Sequence, residues 1–470
     1  MLPFILYPSQ FILTPDSLDM NYSDCLRYLD SLGQEVHGLQ WGLETITKVL
    51  GRLGNPHLKY PTAIVAGTNG KGSTAAMLAT ILSQAGYRTG LYTSPHLVRV
   101  NERIQLNGAE ISEDDFAQAF TEVCQVVEGL LEEKALGQLP SFFEFLTATG
   151  FFYFAQAGAG FVVLEVGMGG RLDATNVTQP RVAVITNVGL DHVEFLGSSL
   201  AEIGREKAGV IKPGTPVVCG CEPGEAAEVI RQRCVELRAE LFETGKFGWL
   251  WGLQSLQGHY QFNLSLDTDS FPSLGSPLLG RFQVKNAVAA VTAAWRLSRD
   301  GFQISPTAII KGLERTSWPG RLERVLEHPL VLLDGAHNPA AARVLAEFIQ
   351  EELGGRRLRL VYASMRDKAI GEISEILFPL AEEVYLTRPH LARAAAPEEI
   401  LAMARYRPKR VVIEPEPSVA VAKACQASSY EDAVMIIGSL YLVGAIKKSL
   451  QEGQLHLATR LGPAPAQGLV

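Results

Sequence analysis

The sequence predicts an α/β protein made of two units, each built on a largely parallel β-sheet with helices on both faces. Short apolar, β-branched runs that end in glycine or polar residues alternate with longer segments whose apolar residues recur at helical spacing. This alternation is interrupted at Pro319 and Gly320 and then starts again. The length of 470 residues is sufficient for two such units, and we place the boundary near residue 318.

The first unit is expected over residues 20–318. Its apolar runs read as buried strands, and they are "TAIVAG", "TGLYTS", "FVVLEVG", "VAVITNVG" and "TPVVCG". In the region 240–275 the pattern changes, because "HYQFNLSLDTDSF" alternates apolar and polar residues and so predicts a small antiparallel sheet. Helical spacing returns in "VKNAVAAVTAAWRLSRDG" and "SPTAIIKGLERT".

The second unit is expected over residues 319–452, where strand-like and helix-like segments alternate from "LVLLDGAHNPAAARVLAEF" to "AVMIIGSLYLVGAIKKSL". Residues 453–470 form a tail rich in proline, glycine and alanine. Residues 1–19 are expected to be a poorly ordered extension. Pro3 and Pro8 break their apolar run, no basic residue precedes it, and no small-residue cleavage site follows.

Composition excludes several classes of function. Hydrophobic residues make up 47% of the chain and charged residues 20%, which is typical of a globular protein with large cores. The formal net charge of -8 argues against a protein that binds the nucleic-acid backbone. No apolar run is long enough to span a bilayer. The six cysteines have no zinc-binding spacing, so we expect reduced thiols and a cytoplasmic protein.

The segment "IVAGTNGKGST", residues 64–74, joins a predicted strand to a predicted helix through glycines and a lysine. Backbone N–H groups at a helix N-terminus attract phosphate, and Lys71 can reach it as a point charge. The usual phosphate-loop pattern is G-x-x-x-x-G-K-[ST]. This segment departs from it, because Val65 stands at the first glycine position and Gly72 separates Lys71 from Ser73. A glycine-rich turn with a surface lysine is the alternative interpretation.

Polar residues also follow other predicted strands of the first unit, where ligands of open α/β sheets bind. They include Ser94, Glu165, Asp173, Asp191 and His192. A buried carboxylate is costly unless it is paired or bound to a metal, and Mg²⁺ prefers oxygen ligands. The cluster therefore indicates a magnesium site beside the phosphate loop. The alternative is that each residue is a hydrogen-bonded polar group of the core.

Ordered motifs resemble those of the folylpolyglutamate synthase / dihydrofolate synthase family, which belongs to the Mur ligase superfamily. They include "GTNGKGS", "TSPHL", "FFEFLTA", "LEVGMGGRLDATN", "DHVEFLG", "EKAGVIKPG", "RFQVKNA", "PGRLE" and "LLDGAHNP". The resemblance covers residues 20–449. It departs at Val100, where an aromatic residue is more usual.

The resemblance implies an N-terminal P-loop ATPase domain and a smaller C-terminal Rossmann-like domain, with the active site between them. It implies a monomer that adds L-glutamate to dihydropteroate, to (tetrahydro)folate polyglutamates, or to both. ATP would be the co-substrate and would activate the acceptor as an acyl phosphate, with release of ADP and phosphate. Mg²⁺ is the implied cofactor, and a monovalent cation is a further candidate.

The resemblance also implies roles for individual residues. The residues that would bind phosphate are Gly67, Thr68, Asn69, Gly70, Lys71, Gly72 and Ser73. Those that would bind the rest of the nucleotide are Asn286, Arg321, Asp334 and His337. The magnesium ligands would be Ser94, Glu165, His192 and Lys207, and the catalytic residues Lys71, His192 and Lys207. Phe143 would border the pterin. Lys207 matches the position of a carbamylated lysine, whereas its helix alone would predict a solvated side chain.

Three other functions stay open at this point. One is a Mur-type ligase that acts on a cell-wall nucleotide precursor, although "FFEFLTA" and "DGAHNP" argue against it. Another is a ligase of the same mechanism that acts on a different small acid. The third is a nucleotide-binding scaffold without ligase activity, which would have no need of Glu165, His192 and Lys207.

Overall fold

The computed structural model describes residues 20–33 and 42–460. The predicted extension at residues 1–19 and the end of the predicted tail, residues 461–470, lie outside the described residues. The described residues form three β-sheets with helices packed around them. Within this part of the chain, no helix is both long and apolar enough to cross a membrane.

The first sheet has eight strands in the order β4-β3-β2-β5-β1-β6-β7-β8. These are β1 Thr62–Ala66, β2 Thr89–Tyr92, β3 Ile104–Leu106, β4 Ala109–Glu110, β5 Phe161–Glu165, β6 Val182–Ile185, β7 Val217–Cys219 and β8 Leu241–Glu243. Within this order, the neighbours among β2, β5, β1, β6, β7 and β8 pair in parallel. Strands β3 and β4 add an antiparallel edge beside β2. The largely parallel sheet predicted from the apolar runs is confirmed.

Helices cover both faces of this sheet. They are α1 Tyr22–Ser31, α2 Glu44–Arg52, α3 Lys71–Gln84, α4 Glu113–Glu132, α5 Phe142–Gln156, α6 Val193–Leu196, α7 Leu200–Ala208, α8 Glu225–Glu236, α9 Thr244–Phe247, α10 Phe282–Arg299 and α11 Pro306–Glu314. Short 3₁₀ helices lie at Pro56–Leu58, Val100–Arg103 and Ala174–Val177. Alternate residues of β1 enter different cores, Ile64 on one face and Val65 on the other, which explains its continuous apolar sequence.

The second sheet is antiparallel and has the order β11-β10-β9. Its strands are β9 Gly248–Leu256, β10 His259–Leu266 and β11 Asp269–Gly275. In β10 every second residue is buried, and Phe262, Leu264 and Leu266 join the core that α3 and α10 share. The antiparallel segment predicted from alternation is confirmed.

The third sheet has the order β12-β13-β17-β14-β15-β16 and is parallel except for the β12–β13 pair. Its strands are β12 Glu323–Leu326, β13 Leu330–Leu333, β14 Leu358–Tyr362, β15 Glu383–Leu386, β16 Val411–Ile413 and β17 Ala433–Ile437. Its helices are α12 Pro339–Glu352, α13 Ile370–Leu377, α14 Pro397–Met403, α15 Pro417–Gln426 and α16 Leu440–Gln451, with a 3₁₀ turn at Phe378–Leu380. The expected boundary near residue 318 falls between α11 and β12, while the division into domains stays a prediction.

Candidate active site between the sheets

A glycine-rich turn connects β1 to α3 and leaves the N-terminus of α3 open. Gly70 precedes the helix with a φ of +80°, and Gly67 has a φ of +148°, values that favour glycine. A Cβ atom on Gly67 would lie 1.9 Å from Thr186 Oγ1, and one on Gly70 would lie 2.3 Å from Asn286 Oδ1. Among the described residues no side chain caps the helix. Its first N–H groups are therefore available to an anion such as phosphate.

The loop after β6 fixes the shape of this turn. The backbone N–H of Thr68 donates to the carbonyl of Asn187 at 3.0 Å, and the N–H of Asn69 donates to Asn187 Oδ1 at 3.0 Å. The carbonyl of Asn69 accepts from Thr186 Oγ1 at 2.7 Å and from Asn187 Nδ2 at 2.9 Å. The turn is thus held in one conformation before any ligand binds, which lowers the entropic cost of binding.

Lys71 and Glu165 place opposite charges at the mouth of this turn. The half-buried Lys71 donates from Nζ to the carbonyl of Thr68 at 3.3 Å. Glu165, at the end of β5, is 5% exposed and accepts the backbone N–H of Ser94 at 3.2 Å. Burial raises the pKa of the Glu165 carboxyl, and the positive charge of Lys71 opposes that rise. A buried carboxylate of this kind favours a cation beside it.

Lys207 is buried on α7, so the interpretation as a solvated side chain is wrong. It is 3% exposed, and Nζ donates to the carbonyl of Gly67 at 2.8 Å. Burial, and then the charge of Lys71, lowers the pKa of Lys207 to about 7. A large share of the amine is therefore neutral at neutral pH, which is the form that reacts with CO₂.

His192 lies between β6 and α6 with a φ of +49°, an uncommon conformation for a residue other than glycine. Burial lowers its pKa to about 4, so its imidazole is neutral at neutral pH. A neutral imidazole can bind a metal ion or accept a proton. The backbone strain at a residue with this chemistry supports a functional position.

The wall that faces the glycine-rich turn is formed by the segment that contains β12, β13 and α12. Buried Asp334 follows β13 and accepts the backbone N–H groups of Leu322 at 2.9 Å and Ala336 at 2.8 Å. Burial raises the pKa of Asp334, and the charge of Arg321 opposes that rise. His337 Nδ1 lies 2.8 Å from the carbonyl of Gly335. These contacts hold the loop before α12 in a defined shape.

One cleft of about 450 Å³ collects the predicted nucleotide and magnesium residues. It is lined by Gly67, Thr68, Asn69, Gly70, Lys71, Gly72, Ser73, Ser94, Glu165, His192, Lys207, Asn286, Arg321, Asp334 and His337. Away from the glycine-rich turn the lining becomes apolar, with Phe282, Ala340, Ala341, Val344 and Leu345. The cleft therefore has one end suited to phosphate and one end suited to a flat aromatic base.

A second cavity of about 180 Å³ adjoins the first and contains Phe143. The two share wall residues, including Ser94, Met168 and His192. Glu144 is 5% exposed in this second wall, and burial raises the pKa of its carboxyl. Sequence reasoning missed Glu144, although a carboxylate inside the apolar segment "FFEFLTA" was a visible signal.

Cationic residues of the third-sheet region complete this second cavity. Arg393 donates from Nη2 to the Tyr441 hydroxyl at 2.8 Å and lies 4.9 Å from the centre of that ring. Lys368 lines the same wall, with Nζ 2.9 Å from Asp191 Oδ1. Sequence reasoning missed both cations, because they lie in loops without a recognisable motif.

Comparison with known proteins assigns the family. Residues 65–294 match the Mur ligase middle domain, and residues 320–440 match the Mur ligase glutamate ligase domain. The dihydrofolate synthase/folylpolyglutamate synthase of Bacillus subtilis is 34% identical over 421 residues, which cover 89% of this chain and 97% of that protein. The Escherichia coli protein of the same name is 34% identical over 379 residues, with coverage of 80% and 84%.

Solved structures agree with this assignment. E. coli FolC in complex with DHPP and ADP superposes with a TM-score of 0.82 at 32% identity, covering 93% of this chain and 99% of that one. Mycobacterium tuberculosis folylpolyglutamate synthase complexed with ADP and AMPPCP gives a TM-score of 0.84 at 32% identity, with coverage of 91% and 98%. The chain belongs to the dihydrofolate synthase/folylpolyglutamate synthase family of Mur ligases.

Proposed function

We propose that this protein is an ATP-dependent ligase that joins L-glutamate to dihydropteroate and to folates. The observation that carries the proposal is that the two cavities adjoin. The cleft with the glycine-rich turn and Lys71 shares Ser94 and His192 with the cavity that contains Phe143. A carboxylate held in the second cavity can therefore meet a terminal phosphate held in the first. The function of the relatives supports this reading.

We assign the triphosphate of ATP to residues 67–73 and the base to the apolar end of the cleft. The open N-terminus of α3 and the Lys71 ammonium are suited to the phosphates. Asn286, Arg321, Asp334 and His337 line the cleft beyond them. Because phosphoryl transfer depends on position and on neutralised charge, Lys71 acts mainly by offsetting charge on the transferred group.

Ser94, Glu165, His192 and a carbamylated Lys207 would hold Mg²⁺. The residues fit this ion, because Glu165 provides a buried carboxylate and the carbamate would convert a buried cation into an oxygen ligand. When bound, the ion supplies positive charge near the transferring phosphate. The side chains of the protein fix the directions from which the acceptor carboxylate and the phosphate approach.

The pterin of the acceptor is proposed to occupy the second cavity. The ring of Phe143 packs directly against Gly167 there. A Cβ atom on Gly167 would lie only 2.7 Å from Phe143 Cζ, so the ring can approach this closely only beside a glycine. Glu144 places a buried carboxylate in the wall of the same cavity. Buried Asp173 lies on the same wall. This arrangement directs the carboxylate at the other end of the acceptor toward Lys71.

L-glutamate is proposed to enter from the side of Arg393. The guanidinium suits a carboxylate, and Arg393 belongs to the segment that matches the glutamate ligase domain. In the first step an oxygen of the acceptor carboxylate attacks the terminal phosphorus of ATP, and ADP leaves. The glutamate amine then attacks the acyl carbon, the carbon–oxygen bond to phosphate breaks, phosphate leaves, and the amine loses a proton as the amide forms.

All six cysteines lie in the described residues as free thiols, which supports a reducing compartment such as the cytoplasm. Since one chain contains the whole cleft, we propose that it acts as a monomer.

The test is ADP release by the purified protein with a panel of acceptors. We expect ADP when ATP, L-glutamate and either dihydropteroate or tetrahydrofolate are all present, and none when the acceptor or glutamate is left out. Release with a cell-wall nucleotide acceptor instead would favour a Mur-type ligase. Nucleotide binding without any ADP release would favour the scaffold.

A further inference from the structure

A polar contact joins the loop after β6 to the loops around α12 and α13. Asp191 Oδ1 lies 2.9 Å from Lys368 Nζ, and both side chains are 11% exposed. His337 Nε2 lies 3.7 Å from Asp191 Oδ2. Charges from the two sides of the cleft thus meet in a site that is largely closed to water, where an ion pair is screened less than at the surface.

Asn338 extends this contact to the glycine-rich turn. It is 2% exposed, and its Oδ1 caps α12 by accepting the N–H of Ala341 at 2.8 Å. Its Nδ2 donates to Asn69 Oδ1 at 3.0 Å and to Asp191 Oδ2 at 2.9 Å. In the opposite direction, Asn69 Nδ2 donates a longer and weaker hydrogen bond to Asn338 Oδ1 at 3.3 Å. One buried amide therefore connects the phosphate-binding turn, the β6 loop and α12.

We propose that Asn69, Asp191, Asn338 and Lys368 form a latch that holds the two sides of the cleft together around the nucleotide. Asn338 and Asp191 are positioning residues of this latch, because they act through the parts they connect. The inference rests on the proposed function in one respect, namely that the nucleotide binds both walls. The latch itself is a property of the protein without substrate.

A latch of this kind has a specific effect on kinetics. If it favours the closed arrangement, its loss reduces the closed fraction, and ATP must then supply the missing free energy of closure. The apparent affinity for ATP falls, whereas turnover at saturating ATP is largely kept. A residue with a purely structural role would lower thermal stability without separating KM from kcat in this way.

The variant Asn338→Ser tests the latch. Serine caps a helix about as well as asparagine, so α12 keeps its cap, but both bonds donated by Asn338 Nδ2 are lost. The matched control is Asn21→Ser, the same exchange at the N-cap of α1. We expect the KM for ATP to rise about tenfold, since one bond involves a charged partner. We expect kcat to change by less than about threefold, and the control to leave both values unchanged.

Small-angle X-ray scattering of the full chain separates the latch from a direct contact with ATP. We expect a larger radius of gyration for Asn338→Ser without nucleotide, and return to the wild-type value with a saturating non-hydrolysable ATP analogue. Because this readout needs no ligase activity, failure of the proposed function would leave it interpretable. If Asn338→Ser does not fold, Asp191→Asn removes the charge that holds Lys368 and should give the same expansion. Wild-type dimensions in the folded variant without nucleotide would overturn the latch.

Discussion

At the scale of single residues, the candidate site depends on how buried charges are compensated. Lys207 is 3% exposed and donates to a backbone carbonyl, while the positive charge of Lys71 acts on it in addition to burial. Burial and the charge of Lys71 outweigh the favourable charges of Asp191 and Asp173, so the amine is driven toward its neutral form. Carbamylation would go further, because it replaces a positive charge with a negative one beside Lys71.

We expect Lys207 to be carbamylated in the active protein. The variant Lys207→Ala should lower ligase kcat/KM by at least about a hundredfold, as loss of an electrostatic group at a reacting centre does. A short carboxylic acid should restore part of the activity, since it supplies the missing oxygens. The control is Lys212→Ala, which removes a half-buried lysine that donates to the carbonyl of Asn176 at 2.9 Å. Electron density for a bare ammonium in active crystals would contradict the prediction.

Lys71 should matter for chemistry far more than for stability. We expect Lys71→Ala to lower kcat/KM by at least about a hundredfold, because the charge that offsets the phosphates is lost. The melting temperature should stay close to that of the wild type, since a half-buried lysine contributes little to folding. The matched control is Lys59→Ala, which removes an exposed lysine and should leave kcat/KM unchanged. Unchanged kinetics in Lys71→Ala would refute the phosphate-binding assignment.

At the scale of secondary-structure elements, the two departures from the usual phosphate-loop pattern have structural reasons. Val65 lies inside β1 and is fully buried, so the turn begins only at Gly67. Gly72 lies in the first turn of α3 against the indole of Trp318, where a Cβ atom would be 2.8 Å from Cζ2. The residue after Lys71 is therefore small because the segment that leads to the third sheet crosses the helix there.

The contact between α3 and Trp318 can be tested with a compensating pair. We expect Gly72→Ala to lower the free energy of unfolding by about 1–3 kcal/mol, the usual cost of an overpacked position. Trp318→Leu should recover most of this loss in the double variant, because the smaller side chain makes room. Gly129→Ala on α4 is the control, since within the described residues nothing lies within 4 Å of its Cβ, and it should be neutral or stabilising. A double variant as unstable as Gly72→Ala would contradict the explanation.

At the scale of the whole molecule, the two largely parallel sheets present the carboxyl ends of their strands to one cleft. The glycine-rich turn follows β1 of the first sheet, and Asp334 follows β13 of the third. One nucleotide can touch both edges only while they face each other. Closure would also exclude water, which would otherwise hydrolyse an acyl phosphate.

This arrangement predicts that a residue of the third sheet controls nucleotide binding. We expect Asp334→Ala to weaken ATP binding by about tenfold or more in calorimetric titration, because the loops that Leu322 and Ala336 belong to lose their common acceptor. Glu327→Ala removes an exposed carboxylate of the same region and should leave binding unchanged. We also expect the segment 20–318 alone to be a poor ligase. Full activity from that segment would contradict the shared site.

Much of the architecture was determined by the sequence itself. The α/β class and the antiparallel segment followed from periodicities of neighbouring residues, because backbone geometry sets which residues along a strand or helix share a face. The glycine-rich turn was predictable for a different local reason, because the φ values at Gly67 and Gly70 favour a residue without a Cβ atom. The roles assigned to individual site residues stay predictions.

Only the tertiary structure decided the burial of Lys207, the approach of Asn338 to Asn69, and the cavity that joins Glu144 to Arg393. Lys207 follows a charged residue on a short helix whose pattern gives no sign that its side chain reaches Gly67. These contacts join residues far apart in the chain, and they form only when strands pair in an order that differs from their order in the sequence. Periodicity encodes which face of an element is apolar, whereas the partner of that face is chosen by the packing of the whole chain.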